Sequence, residues 1–185
     1  MKHFLKIGEG IDVFPLKLAL QICPSLWNEN NQRKEFEGSS HKVTSDIWIR
    51  YNDIKNLSQG YEKFTSEHEA VWYPAYYKLP HLRQIIFGLM ARCEATRLGG
   101  VLITKIPAGG KVLPHVDTGW HPEYYNIKLY VPIQSNMQCI NRVEAEAVCM
   151  REGEAWYFDN TKLHSVENNG ADERITLIIC MRKEG

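Results

Sequence analysis

Residues 104–117, Thr-Lys-Ile-Pro-Ala-Gly-Gly-Lys-Val-Leu-Pro-His-Val-Asp, predict a turn followed by a short extended segment. Side chains two residues apart in an extended segment point to the same face, so His115 and Asp117 would offer an imidazole and a carboxylate to one point. A second imidazole from His164, on another strand, would complete a set of two histidines and one carboxylate. That ligand set suits Fe(II) and leaves positions on the metal open. The stretch therefore predicts β-structure that carries a metal site.

Arg174 is the second informative residue. It follows His164 by ten positions and precedes the apolar run Ile175-Thr176-Leu177-Ile178-Ile179. A cation in a buried strand is costly unless an anion pairs with it. We therefore expect an anionic ligand close to the predicted metal site.

The composition is that of an ordinary globular protein. Of 185 residues, 44% are hydrophobic and 24% are charged, which predicts one domain with a substantial core. The formal net charge of zero gives no electrostatic reason to bind nucleic acid or an anionic membrane. Five scattered cysteines without a Cys-x-x-Cys pair favour reduced thiols over disulfides or a zinc site. We find no signal peptide and no membrane span, and expect a cytoplasmic protein of unspecified oligomeric state.

After Gly100 the chain predicts short strands separated by turns, a pattern typical of a β-barrel or sandwich. The predicted strands cover residues 101–106, 112–117, 126–133, 137–141, 146–150, 154–158 and 174–181. In the third of these strands, apolar residues alternate with Lys128 and Tyr130, so that the strand has one apolar and one polar face.

The residues before 101 predict a mixture of elements. Residues 1–30 show no clear period, residues 28–40 are polar enough for an exposed loop, and residues 52–77 are loop-like and rich in aromatic side chains. Residues 44–51 alternate as a strand does, with one face formed by Ile47, Ile49 and Tyr51 and the other by Asp46, Trp48 and Arg50.

The apolar spacing from Leu79 to Cys93 predicts an amphipathic helix that supports the barrel. Pro80 suits its first turn, and we expect Gly99-Gly100 to end it. Four of the seven histidines are interpreted as structural rather than ligating: His3, His41, His68 and His81.

Residues 102–182 resemble the aspartyl/asparaginyl β-hydroxylase family of 2-oxoglutarate- and Fe(II)-dependent oxygenases. The resemblance rests on Pro114-His115-Val116-Asp117, the strand Ile127–Ile133, the stretch from Gly153 to His164, and Arg174. It implies a mainly β fold, a double-stranded β-helix (jelly roll) with the metal at its mouth. Within one domain, residues 101–185 would form the catalytic core, and residues 1–100 would support it with one or more helices.

The resemblance also implies a ligand set. Fe(II) would be held by His115, Asp117 and His164, and the distal carboxylate of 2-oxoglutarate would pair with Arg174. Three further positions match cosubstrate contacts in the family, namely Lys128, Tyr130 and Thr104. The family usually has arginine and histidine where this chain has Lys128 and Tyr130. Asp159 and Asn160 would form a turn or orient a ligand next to His164.

The implied activity is that of a dioxygenase, which consumes O2 and 2-oxoglutarate, releases succinate and CO2, and hydroxylates an unactivated C–H bond. We expect the substrate to be an amino-acid side chain, either peptidyl and Asp/Asn-like or in a free amino acid. Candidate substrate contacts are Trp48, Arg50, Trp120 and His121. Two alternatives stay open: a cupin-like metal enzyme that does not use 2-oxoglutarate, and a non-catalytic ligand-binding barrel.

Overall fold

The computed structural model describes residues 2–35 and 37–185, so Met1 and Phe36 (the latter within the predicted loop 28–40) lie outside the described residues. The strands of the described chain, in order, are β1 (Phe4–Gly8), β2 (Ser45–Tyr51), β3 (Val71–Trp72), β4 (Arg97–Ile106), β5 (Lys111–His115), β6 (Ile127–Gln134), β7 (Cys139–Val143), β8 (Glu146–Val148), β9 (Ala155–Phe158), β10 (His164–Asn168) and β11 (Arg174–Arg182). The α-helices are α1 (Phe14–Ile22), α2 (Gln32–Glu35), α3 (Tyr61–Thr65), α4 (Pro74–Lys78), α5 (Leu82–Arg92) and α6 (Trp120–Tyr124).

The strands form two antiparallel sheets. The larger has seven strands in the order β1-β9-β6-β11-β4-β2-β3, and the smaller has four in the order β5-β10-β7-β8. Apart from β2–β3 and β7–β8, strands that are neighbours in a sheet are not consecutive in the chain, as in a double-stranded β-helix, and the predicted mainly β jelly roll is confirmed. In the described residues, no helix is both long and apolar enough to cross a membrane.

Two hydrophobic cores lie on opposite faces of the larger sheet. On the outer face, the alternate residues Leu129, Val131 and Ile133 of β6 pack with α1 and α5, as the apolar alternation predicted. Between the two sheets, side chains from β4, β6 and β11 meet Val112, Val143 and Val166 of the smaller sheet. Polar residues on this inner face are therefore enclosed by the barrel.

The residues before 101 contribute strands as well as helices. β1 pairs with β9, placing Phe4 opposite Phe158, and β2 pairs with β4, placing Asp46 opposite Thr104. β4 itself runs across residue 100. The helices α1, α4 and α5 cover the outer face of the sheet, consistent with the predicted supporting role.

The helix predicted for residues 79–93 is shorter than expected, and the expected stop at Gly99-Gly100 is wrong. α5 ends at Arg92, and the chain turns through Glu94, which has a φ of 53°. Gly99 and Gly100 lie within β4. A Cβ at Gly99 would lie 2.8 Å from the ring of Tyr125, so this glycine permits close packing against a strand and does not end a helix.

Several segments predicted to be loops or irregular contain short elements. Residues 28–40 include α2, and residues 52–77 include a 3-10 helix (Ile54–Gln59), α3, β3 and α4. Residues 118–125, between the predicted strands 112–117 and 126–133, include α6. Residues 1–30, which have no clear period, contain β1 and α1. These elements are short and depend on packing against the barrel, which local periodicity does not encode.

The predicted faces of β2 are wrong beyond Trp48, because the strand contains a β-bulge. Trp48 pairs with Leu102 and Arg50 pairs with the next residue, Val101, so Ile49 is the extra residue. The bulge reverses the alternation after it. Tyr51 therefore joins Trp48 on the inner side, whereas Arg50 points to the outside, contrary to the predicted arrangement.

Candidate metal centre

The three predicted metal ligands meet at one end of the barrel. His115 ends β5 and His164 begins β10, and the two residues are paired in register. Asp117 lies just beyond the end of β5, not within the strand as expected, and its backbone N–H donates to the Asn160 carbonyl at 3.1 Å. One potential ligand atom from each residue lies within 4.8 Å of the other two, so the three side chains can share one ion.

Both histidines present the same nitrogen to that point. The Nδ1 atoms of His115 and His164 lie 2.7 and 2.9 Å from the backbone carbonyls of Leu113 and Lys162. Because a carbonyl only accepts a hydrogen bond, each Nδ1 carries the proton, and each Nε2 keeps a free lone pair. The Nε2 of His164 is buried and has no hydrogen-bond partner among the described residues. The tautomers are therefore fixed for metal binding.

Asp117 uses its two oxygens differently. Oδ1 faces the imidazoles, 3.5 Å from Nε2 of His115 and 3.9 Å from Nε2 of His164. Oδ2 accepts hydrogen bonds from the Lys128 ammonium and, at 2.8 Å, from Nδ2 of Asn160. The carboxylate is thus oriented with one oxygen toward the candidate ion.

The protonation states suit a metal at neutral pH. Burial, reinforced by the Lys128 ammonium, lowers the pKa of His164 to about 4, so its imidazole is neutral. Burial works to raise the pKa of Asp117, but Lys128 and the two imidazoles outweigh it and hold that pKa well below its usual range. For Lys128, the Asp117 carboxylate outweighs burial and raises the pKa. At neutral pH the site therefore offers a metal the anionic carboxylate of Asp117 and the neutral imidazole of His164.

Arg174 lies deeper between the sheets. On the inner face of β11, Ile178 and Cys180 line the mouth, whereas Thr176 and Arg174 are fully enclosed, Arg174 being 2% exposed. Its Nη2 donates to Oδ1 of Asn141 at 2.9 Å, and its guanidinium lies 5.6 Å from the ring centroid of Tyr130. Its Nε has no partner, and no carboxylate among the described residues pairs with it. Burial lowers the pKa of Arg174.

Unpartnered polar atoms are unusual in a protein interior, because each costs desolvation free energy without a compensating hydrogen bond. Near the barrel axis they include Nε2 of His164, Nε of Arg174, Oγ1 of Thr176 and Nε1 of Trp48. Arg174 and Thr176 lie on the same face of β11. The unpartnered Nε of Arg174 and Oγ1 of Thr176, together with the free lone pair on Nε2 of His164, are consistent with a ligand bound between the metal ligands and Arg174.

Two of the four predicted cosubstrate contacts are engaged with carboxylates of the protein. Lys128 holds Asp117, and the Thr104 hydroxyl donates to Oδ1 of Asp46 at 2.8 Å. Tyr130, by contrast, lies beside Arg174, whose guanidinium is 5.6 Å from the centroid of the Tyr130 ring. The structure therefore brings Arg174 and Tyr130 together and places Lys128 and Thr104 in separate ion-pair clusters.

A cleft of about 220 Å³ opens in front of Asp117. Its wall includes Lys128, Asn160 and His121 together with Arg33 and His41. Burial lowers the pKa of His121 to about 4, and its Nε2 accepts from the Gly100 N–H at 3.3 Å. The cleft is therefore lined by charged and neutral hydrogen-bonding groups, with access to the candidate metal.

Arg33 is a cleft residue that the sequence did not reveal. It lies on α2, in the segment predicted to be exposed, yet its side chain is only 16% exposed. Its Nη1 lies 3.0 Å from Oδ2 of the buried Asp46, and its Nη2 donates to Nδ1 of His41 at 3.0 Å. His41, interpreted as structural, lies with its ring 4.9 Å from that of His115. The only sequence signal was a single arginine in a polar segment.

The four candidate substrate contacts are separated by the fold. His121 lines the cleft, whereas Trp48 is 3% exposed and packs behind Tyr51 and Phe64. Arg50 and Trp120 line a second depression of about 510 Å³ on the outer side. In that depression, the Arg50 guanidinium lies 5.1 Å from the ring centroid of Trp72.

A family model described as aspartyl/asparaginyl β-hydroxylase matches residues 25–184, most of the chain. The match extends well into the N-terminal part, which includes β2, where sequence inspection found no resemblance. No curated protein matches the sequence significantly.

Solved oxygenase structures share the fold. A viral collagen prolyl hydroxylase from Paramecium bursaria Chlorella virus 1, in a 2OG complex, is 10% identical with a TM-score of 0.60, covering 100% of this chain and 97% of that chain. A prolyl hydroxylase from Trichoplax adhaerens, in complex with a peptide fragment, is 12% identical with a TM-score of 0.61, covering 97% and 83%. A non-heme α-ketoglutarate-dependent epimerase of nogalamycin biosynthesis is 12% identical with a TM-score of 0.60, covering 98% and 78%. At these identities the likeness establishes the fold.

Proposed function

Because the chain belongs to the aspartyl/asparaginyl β-hydroxylase family, we propose that it is a 2-oxoglutarate- and Fe(II)-dependent dioxygenase that hydroxylates an amino-acid side chain. Family membership makes the chain an oxygenase. The cofactors it uses, the role of each residue and the substrate are the content of the proposal.

The donor set supports Fe(II) at His115, Asp117 and His164. Two imidazoles that present Nε2 and one carboxylate that presents Oδ1 to a common point would leave coordination positions open on a bound ion, as non-haem Fe(II) oxygenases require. The buried, unpartnered Nε2 of His164 supports a bound ion in particular, because an imidazole nitrogen enclosed without a partner is otherwise unfavourable.

The unpaired guanidinium of Arg174 is the observation that carries the choice of 2-oxoglutarate. A buried cation without a carboxylate partner needs an anion, and a guanidinium fork matches the geometry of a carboxylate. Thr176 and Tyr130 lie on the same inner surface and are proposed to contact the same carboxylate. Lys128 and Thr104 already hold carboxylates of the protein, so the proposal rests on Arg174 and not on them.

Iron and its cosubstrate supply the activation of O2 when bound, with succinate and CO2 as products. The protein's own contribution is geometric. Nδ1–H bonds to backbone carbonyls fix both imidazoles, and Arg174 anchors the cosubstrate at a set depth. Leu102 and Ile178, apolar residues of the inner core that reach the cleft, limit the access of water to the reacting centre.

The substrate is proposed to be an amino-acid side chain, and a peptidyl one in preference to a free amino acid. The cleft presents Arg33, Asp117 and Lys128 together with His121, which suits a polar side chain. The outer depression adjoins the cleft, because His68 and Tyr125 line both. A neighbouring depression that contains Arg50 and Trp120 supports a substrate that extends beyond one residue. Trp48 would contribute indirectly, by packing against Tyr51, which lines the cleft.

The five cysteines are all free, which supports the reducing environment of the cytoplasm as the place of action.

Anaerobic titration of the iron-loaded protein with 2-oxoglutarate tests the proposal. We expect a weak visible charge-transfer band in the wild-type protein and no band in His164→Ala. In Arg174→Met the apparent affinity for 2-oxoglutarate should fall roughly 100-fold, because a charge-assisted hydrogen-bond pair is lost. Arg182→Met is the matched control, since Arg182 lies at the other end of β11 and pairs with Glu184 at 2.9 Å.

Each negative outcome identifies an alternative. A folded, iron-loaded wild-type protein that gives no band contradicts the use of 2-oxoglutarate and favours a cupin-like metal enzyme. A folded protein that binds no iron favours a non-catalytic barrel. Equal titration curves for Arg174→Met and wild type would show that Arg174 does not bind 2-oxoglutarate.

A further inference from the structure

Two donors hold the same oxygen of the metal-facing carboxylate. Lys128 approaches Oδ2 of Asp117 from β6, and Asn160 approaches it from the turn between β9 and β10. Asn160 also accepts the backbone N–H of Asp117 through its carbonyl at 3.1 Å, so the two residues are tied by two hydrogen bonds. Oδ1, which faces both imidazoles, is left for the ion.

The two donors differ in charge. Asn160 is neutral and can only orient the carboxylate. Lys128 is a cation whose side chain is 14% exposed, and Asp117 is its ion-pair partner in the described residues. A buried ion pair is costly to break, because either partner left alone is an uncompensated charge. Lys128 therefore compensates the charge of Asp117 whenever the site holds no metal.

A divalent ion at Oδ1 would share one carboxylate with the Lys128 ammonium. Two cations on the same carboxylate repel each other, and each weakens the other's interaction with it. The thermodynamic coupling between metal and Lys128 is therefore negative, and it is reciprocal.

We propose that Lys128 is a built-in counter-ion of the metal site: it keeps Asp117 in place when the site is empty, engages Oδ2 so that Oδ1 is the oxygen left for an ion, and lowers the affinity for divalent ions. Asn160 positions the same carboxylate without competing with the metal. This inference rests on the proposed function in one respect, namely that His115, Asp117 and His164 bind a divalent ion. It assigns Lys128 to the metal carboxylate and not to the cosubstrate.

Co(II) binding to the purified full-length chain, measured by calorimetry together with thermal unfolding, tests this assignment without any substrate. We expect Lys128→Met to lower the melting temperature of the metal-free protein, to bind Co(II) roughly tenfold more tightly, and to gain more stability from Co(II) than wild type does. Asn160→Ala should bind Co(II) roughly tenfold more weakly, because it loses orientation without relief of charge. Lys128→Arg should stay close to wild type.

Lys105→Met is the matched control. Lys105 lies on β4 of the same sheet and pairs with Glu173 at 3.0 Å, away from the triad. It should not change Co(II) affinity. A merely structural Lys128 would lower the melting temperature but leave Co(II) affinity unchanged.

Several results would overturn the inference. Lys128→Met that binds Co(II) no more tightly than wild type contradicts the competition. If Lys128→Met does not fold, Lys128→Gln is measured instead. A Lys128→Gln variant that binds Co(II) no more tightly than wild type contradicts the inference equally. If the folded wild-type protein binds no Co(II), both this inference and the proposed metal site are contradicted. If wild type binds Co(II) but Lys128→Met does not bind it more tightly, only this inference is contradicted.

Discussion

The buried charged groups at the mouth of the barrel are paired with opposite charges, whereas the buried cation deeper in the barrel, Arg174, has no anionic partner among the described residues. At the mouth, each carboxylate has a cation: Asp117 pairs with Lys128, and Asp46 pairs with Arg33 at 3.0 Å. In the depth, Arg174 is 2% exposed, yet within residues 2–35 and 37–185 it has only one hydrogen-bond partner, the neutral Asn141, and its Nε has none. The mouth is electrostatically complete without a ligand, whereas the depth is not.

This difference indicates which groups the fold needs and which it tolerates. Removing one partner from a completed pair exposes a buried charge, so it should destabilise the protein. Removing an unpartnered group relieves a desolvation cost that the folded chain already bears, so it should stabilise the protein. Unpartnered groups that persist despite their cost are candidates for ligand binding, because a bound ligand supplies the missing partner.

The largest expected effect is on metal binding. His164→Ala removes one of three ligands and should weaken Co(II) binding roughly a thousandfold, well beyond the effect of a residue that only orients a ligand. Calorimetric titration measures it. His81→Ala is the control, because His81 is exposed at the start of α5. Equal affinities of His164→Ala and wild type would show that the ion does not bind at the triad.

The second prediction breaks a completed pair at the mouth. Arg33→Met should lower the free energy of unfolding by about 3 kcal/mol, because it leaves Asp46, which is 3% exposed, without its cation. Urea denaturation measures the loss. Arg83→Met, at an exposed position on α5, is the control, and the double variant Arg33→Met with Asp46→Asn should recover part of the loss. A loss of less than about 0.5 kcal/mol would show that the pair is screened by solvent.

The third prediction concerns pH in the metal-free protein. Burial lowers the pKa of both His121, at the mouth, and His164, deeper in, to about 4. The unfolded chain binds protons near pH 6.5 and the folded chain only near pH 4, so stability is complete above about pH 6.5 and falls as the pH is lowered. The loss should be about 1–2 kcal/mol per histidine by pH 5.

Urea midpoints at pH 7, 6 and 5 measure this loss. His121→Gln should flatten the pH dependence only in part, by roughly a third, because burial also lowers the pKa of His41 and that of the half-buried His68. A midpoint that stays constant from pH 7 to pH 5 would show that these histidines titrate alike in the folded and unfolded chains.

The smallest expected effect has the opposite sign. Arg174→Met should stabilise the ligand-free protein by about 1 kcal/mol, because an apolar side chain replaces a buried cation without a carboxylate partner. The loss of the hydrogen bond to Asn141 offsets part of the gain. Urea denaturation without 2-oxoglutarate measures it, with Arg182→Met as the control. A loss of stability above about 1 kcal/mol would show that the folded chain stabilises the Arg174 cation without a ligand.

The sequence predicted the parts of the site that local patterns encode. Alternation predicted that Lys128 and Tyr130 share one face of β6, which the structure shows to be the inner face, and the apolar run after Arg174 predicted a buried strand. The His-x-Asp spacing predicted that His115 and Asp117 meet. They do, although Asp117 lies beyond the strand and is held by Asn160 instead of by strand geometry. The roles of these residues stay a prediction.

The parts that sequence reasoning missed depend on contacts between distant residues. Arg33 lies in a polar segment without periodicity, and only its contact with Asp46 on β2 draws it into the cleft. The bulge at Ile49 moves Arg50 to the outside, and alternation gives no sign of it. Gly99 suits a helix end by composition, but the ring of Tyr125 requires it in a strand. Tertiary packing overrides local pattern at each of these positions.

The pairing of β1 with β9 determines how late in synthesis the first strand can join the sheet. Phe4 packs into the core between the sheets opposite Phe158, so the first strand has no partner until almost the whole chain has left the ribosome. At about 5–20 residues per second, that wait is on the order of 10–30 s. Throughout it, the apolar side chain of Phe4 lacks its native neighbours. The pairing of β1 with β9 is therefore among the late steps in forming the barrel, together with the pairings of β10 and β11.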